Sequence, residues 1–116
     1  MQLDALITKA LKFREERNWK QYHSARNIAL SIVLESAELL EIFQWKTDEE
    51  SKKLLSDPVQ RENIADELSD ILLYSILMAN DLNIDIIKAA DKKIDKNAAK
   101  YPVDKVKGRA VKYTEL

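Results

Sequence analysis

The sequence predicts an all-α protein, a four-helix bundle-like single domain with an irregular C-terminal tail, and three observations carry that expectation. One glycine and two prolines in 116 residues leave little material for hairpin turns. Leu, Ile, Ala, Glu and Lys are abundant, and these residue types favour helices. Apolar residues recur at three- and four-residue spacing in segments separated by cap and stop signals. The length suits one domain spanning residues 1–116. It is also short enough that assembly with further copies buries apolar surface a monomer leaves open.

Leu3, Leu6, Ile7, Ala10, Leu11 and Phe13 form the apolar stripe of a first helix, from about Leu3 to Arg17. NWKQYHS reads as a connection. Ser24 then caps a second helix running to about Trp45, and TDEES after it reads as a polar loop. Asp57 followed by Pro58 is a strong start signal: the carboxylate accepts from free backbone amides and proline suits the first helical position. The third helix therefore runs from there to about Leu82. Asp85 caps a fourth, Ile86 to about Lys100, which Pro102 stops. An irregular basic tail is expected after Tyr101.

The net charge of −1 argues against a general nucleic-acid surface, though it conceals an asymmetry. Residues 92–112 carry eight Lys or Arg against two Asp, so the remainder of the chain is acidic. There is no cysteine, and the N-terminus does not read as a secretory leader, which makes the cytoplasm the expected compartment. No apolar run approaches the ~20 residues that span a bilayer, so no membrane role is expected.

The second helix carries acids where its pattern is otherwise apolar. With a helical step of about 100°, Glu38 falls about 60° from Glu35, and both share a face with Ile28, Ser31, Leu39 and Ile42. Leu30, Val33, Ala37 and Leu40 lie on the opposite side, so this helix is expected to be largely buried. Glu41 points in a third, wetter direction. The third helix repeats the arrangement, with Glu67 and Asp70 beside Ile71, Tyr74 and Met78. Most helical glutamates are solvated or ion-paired. Here, however, the i+4 neighbours are Leu39, Ile42, Ile71 and Tyr74, none of them basic. Four such acids brought together repel one another and lose hydration unless a cation sits among them. All-oxygen ligands favour Mg²⁺ or Mn²⁺ over zinc. A di-iron bundle needs Glu-x-x-His pairs, whereas the only histidine, His23, has Lys20 three residues before it.

E-S-A-E at 35–38 and E-L-S-D at 67–70 resemble the E-x-x-E…E-x-x-D signature of the MazG-like, all-α nucleoside triphosphate pyrophosphohydrolases. RNWKQYHSARN, ELLEIFQWK, KNAAKYPV and the terminal KGRAVKYTEL are similar to the compact dCTP pyrophosphatase branch, from about Phe13 onward. The resemblance implies hydrolysis of a nucleoside triphosphate, dCTP or a modified dCTP first, to the monophosphate and pyrophosphate. It implies Mg²⁺ held by Glu35, Glu38, Glu67 and Asp70, and assembly as a homodimer or homotetramer with sites lined by more than one chain. By the same likeness Trp19, His23, Trp45, Tyr74, Asn97 and Tyr101 contact the nucleotide, and Lys93 approaches its phosphates. Two departures, Leu34 where an acid or glycine is common and Ala25 where a proline is common, bear on substrate choice.

Indoles and phenols stack on bases, and an asparagine pairs with a pyrimidine edge through one donor and one acceptor. Read without the family, Trp19 and Trp45 equally suit core or interface packing, His23 a capping or packing role, and the lysine cluster a solvated face. For the chemistry, a carboxylate not fully engaged by metal takes the proton of the attacking water, with Glu38 and Glu41 as candidates. A structural or regulatory helical oligomer that stores a cation, and a nucleotide-binding module without turnover, are the competing functions.

Overall fold

A computed structural model of the chain describes residues 1–116 and contains helices and no strand. Two compact units divide the chain, Met1–Leu82 and Asn83–Leu116. The first holds α1 (Leu3–Glu16), α2 (Ala25–Phe43), α3 (Asp48–Leu54) and α4 (Pro58–Asp81), with a 3₁₀ turn at Lys20–Tyr22. The second holds α5 (Ile86–Lys100), the four-residue α6 (Val103–Val106) and a 3₁₀ turn at Tyr113–Glu115.

The helix starts follow the expected capping chemistry. Ser24 Oγ accepts from the Asn27 amide at 3.1 Å, Asp57 Oδ1 from Val59 at 3.0 Å and Asp85 Oδ1 from Lys88 at 3.1 Å. Left-handed residues follow α1, α2 and α4: Asn18 at φ 53°, Trp45 at φ 66° and Asn83 at φ 56°. Asparagine tolerates that region because its short side chain bonds locally. The turn into Trp45 ends α2 two residues before the expected limit.

TDEES is not a loop. Thr47 Oγ1 accepts from the Glu50 amide and Glu50 Oε1 accepts from the Thr47 amide, both at 3.2 Å, a reciprocal capping box that starts α3. Three acids in its first turn and Lys52 and Lys53 in its last complement the helix dipole. The tail after Tyr101 is also less irregular than expected. Within the second unit Tyr101 and Tyr113 meet edge to face at 6.0 Å, and Lys100 Nζ lies 4.7 Å above the Tyr113 ring. Gly108 turns the chain there at φ 77°, a conformation that Cβ-bearing residues disfavour.

In the first unit α2 packs along α4, and α1 packs on α4. The face of α2 bearing Ile28, Glu35, Leu39 and Ile42 is the covered one, with Ile28 buried opposite a core of Ile76, Leu77 and Ala79 from α4. The other face is not covered: Leu30, Val33, Leu34 and Leu40 are 47 to 67% exposed. The expectation of a largely buried second helix therefore fails within one chain, because α4 covers only one of its apolar sides. No helix is long and apolar enough to cross a membrane.

Candidate metal centre

Packing α2 against α4 brings Glu35, Glu38 and Glu67 together, with one carboxylate oxygen from each within 4.8 Å of the others. Glu35 and Glu67 are half-buried and Glu38 is exposed. Glu35 Oε2 and Glu67 Oε2 are shielded from solvent and have no hydrogen-bond partner. Two ionised carboxylates offer only acceptors, so these oxygens require either a proton between them or a cation. The proton's side of that balance shows in Glu35, whose carboxyl is raised from 4.5 to about 7. Once protonated, Glu35 can donate to Glu67, which is the largest cause, followed by burial, bonding with Glu38, and the charges of Glu38 and Asp70. The orphaned oxygens and the all-oxygen donor set fit a hard divalent cation.

Asp70 stands apart from the three converging oxygens. It acts on Glu35 through its charge and, with Glu35, faces a cavity of about 420 Å³ between α1, α2 and α4. Phe13, Trp19, His23, Leu73, Tyr74 and Leu77 supply most of the cavity's aromatic and apolar wall, and Lys9 and Arg14 its cationic groups. Trp19 meets Phe13 edge to face at 5.7 Å, and His23 meets Tyr74 in the same manner at 6.2 Å. Burial, aided by the charge of Arg14 and opposed by that of Asp81, lowers the His23 pKa, and its Nδ1 is buried without a partner. An apolar cavity with a neutral, unpaired imidazole nitrogen is suited to a flat heteroaromatic ligand.

On the other side, Glu38 and Glu67 border an open acidic groove with Glu41, Ile42, Asn63 and Asp66. The expected site residues thus fall into three groups, with Trp45 outside all of them. Glu35, Asp70, Trp19, His23 and Tyr74 share the cavity, and Glu38, Glu41 and Glu67 share the groove. Trp45 lines neither and is 91% exposed. Lys93, Asn97 and Tyr101 belong to the second unit, the first two exposed on α5 and Tyr101 at its C-cap.

Arg14, Asn63, Asp66 and Asp81 escaped the sequence reading. A usable signal exists for the Arg14–Asp81 pair: Arg14 continues the Leu6–Ala10 stripe and lines the cavity, and Asp81 extends the Asp70–Tyr74–Leu77 stripe by one turn, one cation and one anion on the stripes the two helices turn inward. Asn63 lies four residues before Glu67 and shares its face.

Comparison with known proteins bears on this arrangement. A model of the MazG-like family matches residues 30–116. The chain is 41% identical over 105 residues to dCTP pyrophosphatase 1 of Rattus norvegicus and 40% identical to that of Homo sapiens, in each case covering 90% of this chain. It spans only 62% of the length of those relatives. A crystal structure of a pyrophosphatase from Archaeoglobus fulgidus superimposes with a TM-score of 0.80 at 36% identity, covering 86% of this chain and 92% of that one. With its two acidic motifs on packed helices and a family match over three quarters of its length, the chain belongs to the MazG-like family.

Proposed function

We propose that the protein hydrolyses (deoxy)nucleoside triphosphates, dCTP and its C5-modified forms first, to the monophosphate and pyrophosphate. The observation that carries this reading is the convergence of Glu35, Glu38 and Glu67 beside a cavity walled by Trp19, His23 and Tyr74. The names and identities of the relatives support it. Residues 1–116 act in this reading as one MazG-like catalytic domain.

Glu35, Glu38 and Glu67, joined by Asp70 on the strength of the family resemblance, would hold Mg²⁺, for which Mn²⁺ would substitute. When bound, the cation neutralises triphosphate charge and makes a nearby water more acidic. The chain's own residues do the rest. Trp19 and Tyr74 pack on the base, and neutral His23 offers its unpaired Nδ1 to a polar group on it. Glu38 or Glu41, both on the open groove, takes the proton as water adds to the α-phosphorus and the bond to the bridging oxygen of pyrophosphate breaks. Trp45, Lys93, Asn97 and Tyr101 are assigned to the nucleotide by the family resemblance alone. Pyrophosphate release with Mg²⁺ across a panel of triphosphates tests the reaction. Orthophosphate as the first product, or no product, overturns it.

Base preference has its own test. Asn97 lies four residues after Lys93 on α5, so a base reader and a phosphate contact share one helix face. Asn97→Ala is expected to lower kcat/KM for dCTP about tenfold, and for poorer substrates by less, because discrimination comes from groups the wrong base leaves unpaired. Similar kcat/KM values for purine and pyrimidine triphosphates in the wild type remove the cytosine preference.

We also propose a homodimer or homotetramer, supported by the uncovered Leu30, Val33, Leu34 and Leu40 face of α2. Light scattering at micromolar concentration is expected to give two or four chains. Leu34→Glu with Leu40→Glu is expected to shift the particle toward monomer, and a wild-type monomer contradicts the proposal.

A further inference from the structure

We propose that Arg14 and Asp81 are positioning residues for base recognition, their ion pair setting the turn that presents Trp19 and His23 to the cavity. The inference rests on the nucleotide reading above. Arg14 is 3% exposed and is the one charged side chain in the buried core. Its Nη1 donates to Asp81 Oδ2 at 2.8 Å and its Nη2 to Asp81 Oδ1 at 2.7 Å, joining the end of α1 to the end of α4. Two parallel bonds from a planar fork fix orientation as well as distance.

That orientation passes directly into the cavity wall. The main-chain carbonyl of Arg14 accepts from the Trp19 amide at 3.1 Å, across a turn in which Asn18 is left-handed. Tyr22 then donates to the Trp19 carbonyl at 2.9 Å and His23 to the Lys20 carbonyl at 3.0 Å, after which Ser24 starts α2. Arg14 to His23 is therefore one hydrogen-bonded series, anchored at its first residue by Asp81.

Adhesion alone does not explain the choice of residues. Apolar side chains of similar volume hold helices together as well as a buried ion pair does, without the desolvation cost. The fork adds a fixed angle. A mostly apolar cavity that distinguishes bases needs its few oriented walls in place, since discrimination comes from groups that the wrong base leaves unpaired. The pair also flanks His23 with opposite charges, Arg14 opposing its protonation and Asp81 favouring it, while burial keeps the ring neutral.

The test uses Arg14→Met combined with Asp81→Leu, which leaves no buried charge unpaired. Expected results are a KM for dCTP raised about tenfold, kcat within about threefold of wild type, and a reduced preference for dCTP over dTTP and dATP. Mn²⁺ affinity of the nucleotide-free protein is expected to be unchanged. Arg14→Lys, which keeps the charge and loses the fork, is expected to fall between. Unchanged KM and preference in the double variant, or a fall in kcat at constant KM, overturns the proposal. If the double variant does not fold, Arg14→Lys decides, and wild-type KM there overturns it. Calorimetric titration with α,β-imido-dCTP separates this inference from hydrolysis. A wild type that binds the analogue but releases no pyrophosphate from dCTP removes the reaction, and the proposal then stands or falls on a tenfold weaker affinity in the double variant. A wild type that binds no nucleotide overturns both.

Discussion

Glu35→Gln is expected to lower pyrophosphate release by about a hundredfold or more, with Glu38→Gln, Glu67→Gln and Asp70→Asn each causing a sharp loss. Changing a group that merely orients a metal ligand commonly costs 10- to 100-fold, so loss of the ligand itself should reach or exceed the top of that range. The same substitution is expected to leave the metal-free protein as stable or more so, because it removes one of the mutually repelling acids. The pH dependence gives an independent check. Glu35 holds its proton up to about 7 in the folded chain, against an ordinary value of 4.5. Folding therefore favours the protonated group, and its stabilising contribution is full below 4.5 and lost as pH rises through about 7. Metal-free wild type should resist urea better at about pH 5 than at about pH 8, and Glu35→Gln should flatten that difference. Near-normal turnover with Mg²⁺ in these variants removes the shared metal site.

Arg14→Met alone is expected to cost about 3 kcal/mol of folding stability, the low end for breaking a buried pair, since Asp81 retains some solvent access. The loss arises less from the missing attraction than from a carboxylate left in a poorly solvated place without its partner. The Arg14 hydrogen bonds hold the Asp81 pKa below its ordinary 3.8, with burial opposing. The pair's contribution is thus present above 3.8 and lost as pH falls through the lower folded value, so the wild-type advantage should narrow in strong acid. Adding Asp81→Leu should restore most of the lost stability. Urea midpoints across pH measure all three forms, and a single variant as stable as wild type at neutral pH contradicts the account.

Local chemistry determined much of this protein's fold from sequence alone. Ser24, Asp57 and Asp85 place their helix starts correctly because a cap needs only one side chain and amides two or three residues away. The Thr47–Glu50 capping box is equally local, but the polarity of TDEES, with no apolar spacing in it, masks the helix that the box starts. Helical phase also determined that Glu35 and Glu38 share a face with Ile28 and Ile42, and that Glu67 and Asp70 share another.

Phase gives a direction about one helix axis. It does not give the rotation and axial offset at which two helices meet, and those decided the site. Packing α2 against α4 joined Glu35, Glu38 and Glu67 and turned Asp70 toward the cavity. It also separated Glu41's groove from the aromatic wall and left one apolar side of α2 uncovered. Arg14 and Asp81 are 67 residues apart, each an ordinary helical charge until tertiary packing buries the guanidinium, takes most of the water from the carboxylate and makes each the other's hydrogen-bond partner.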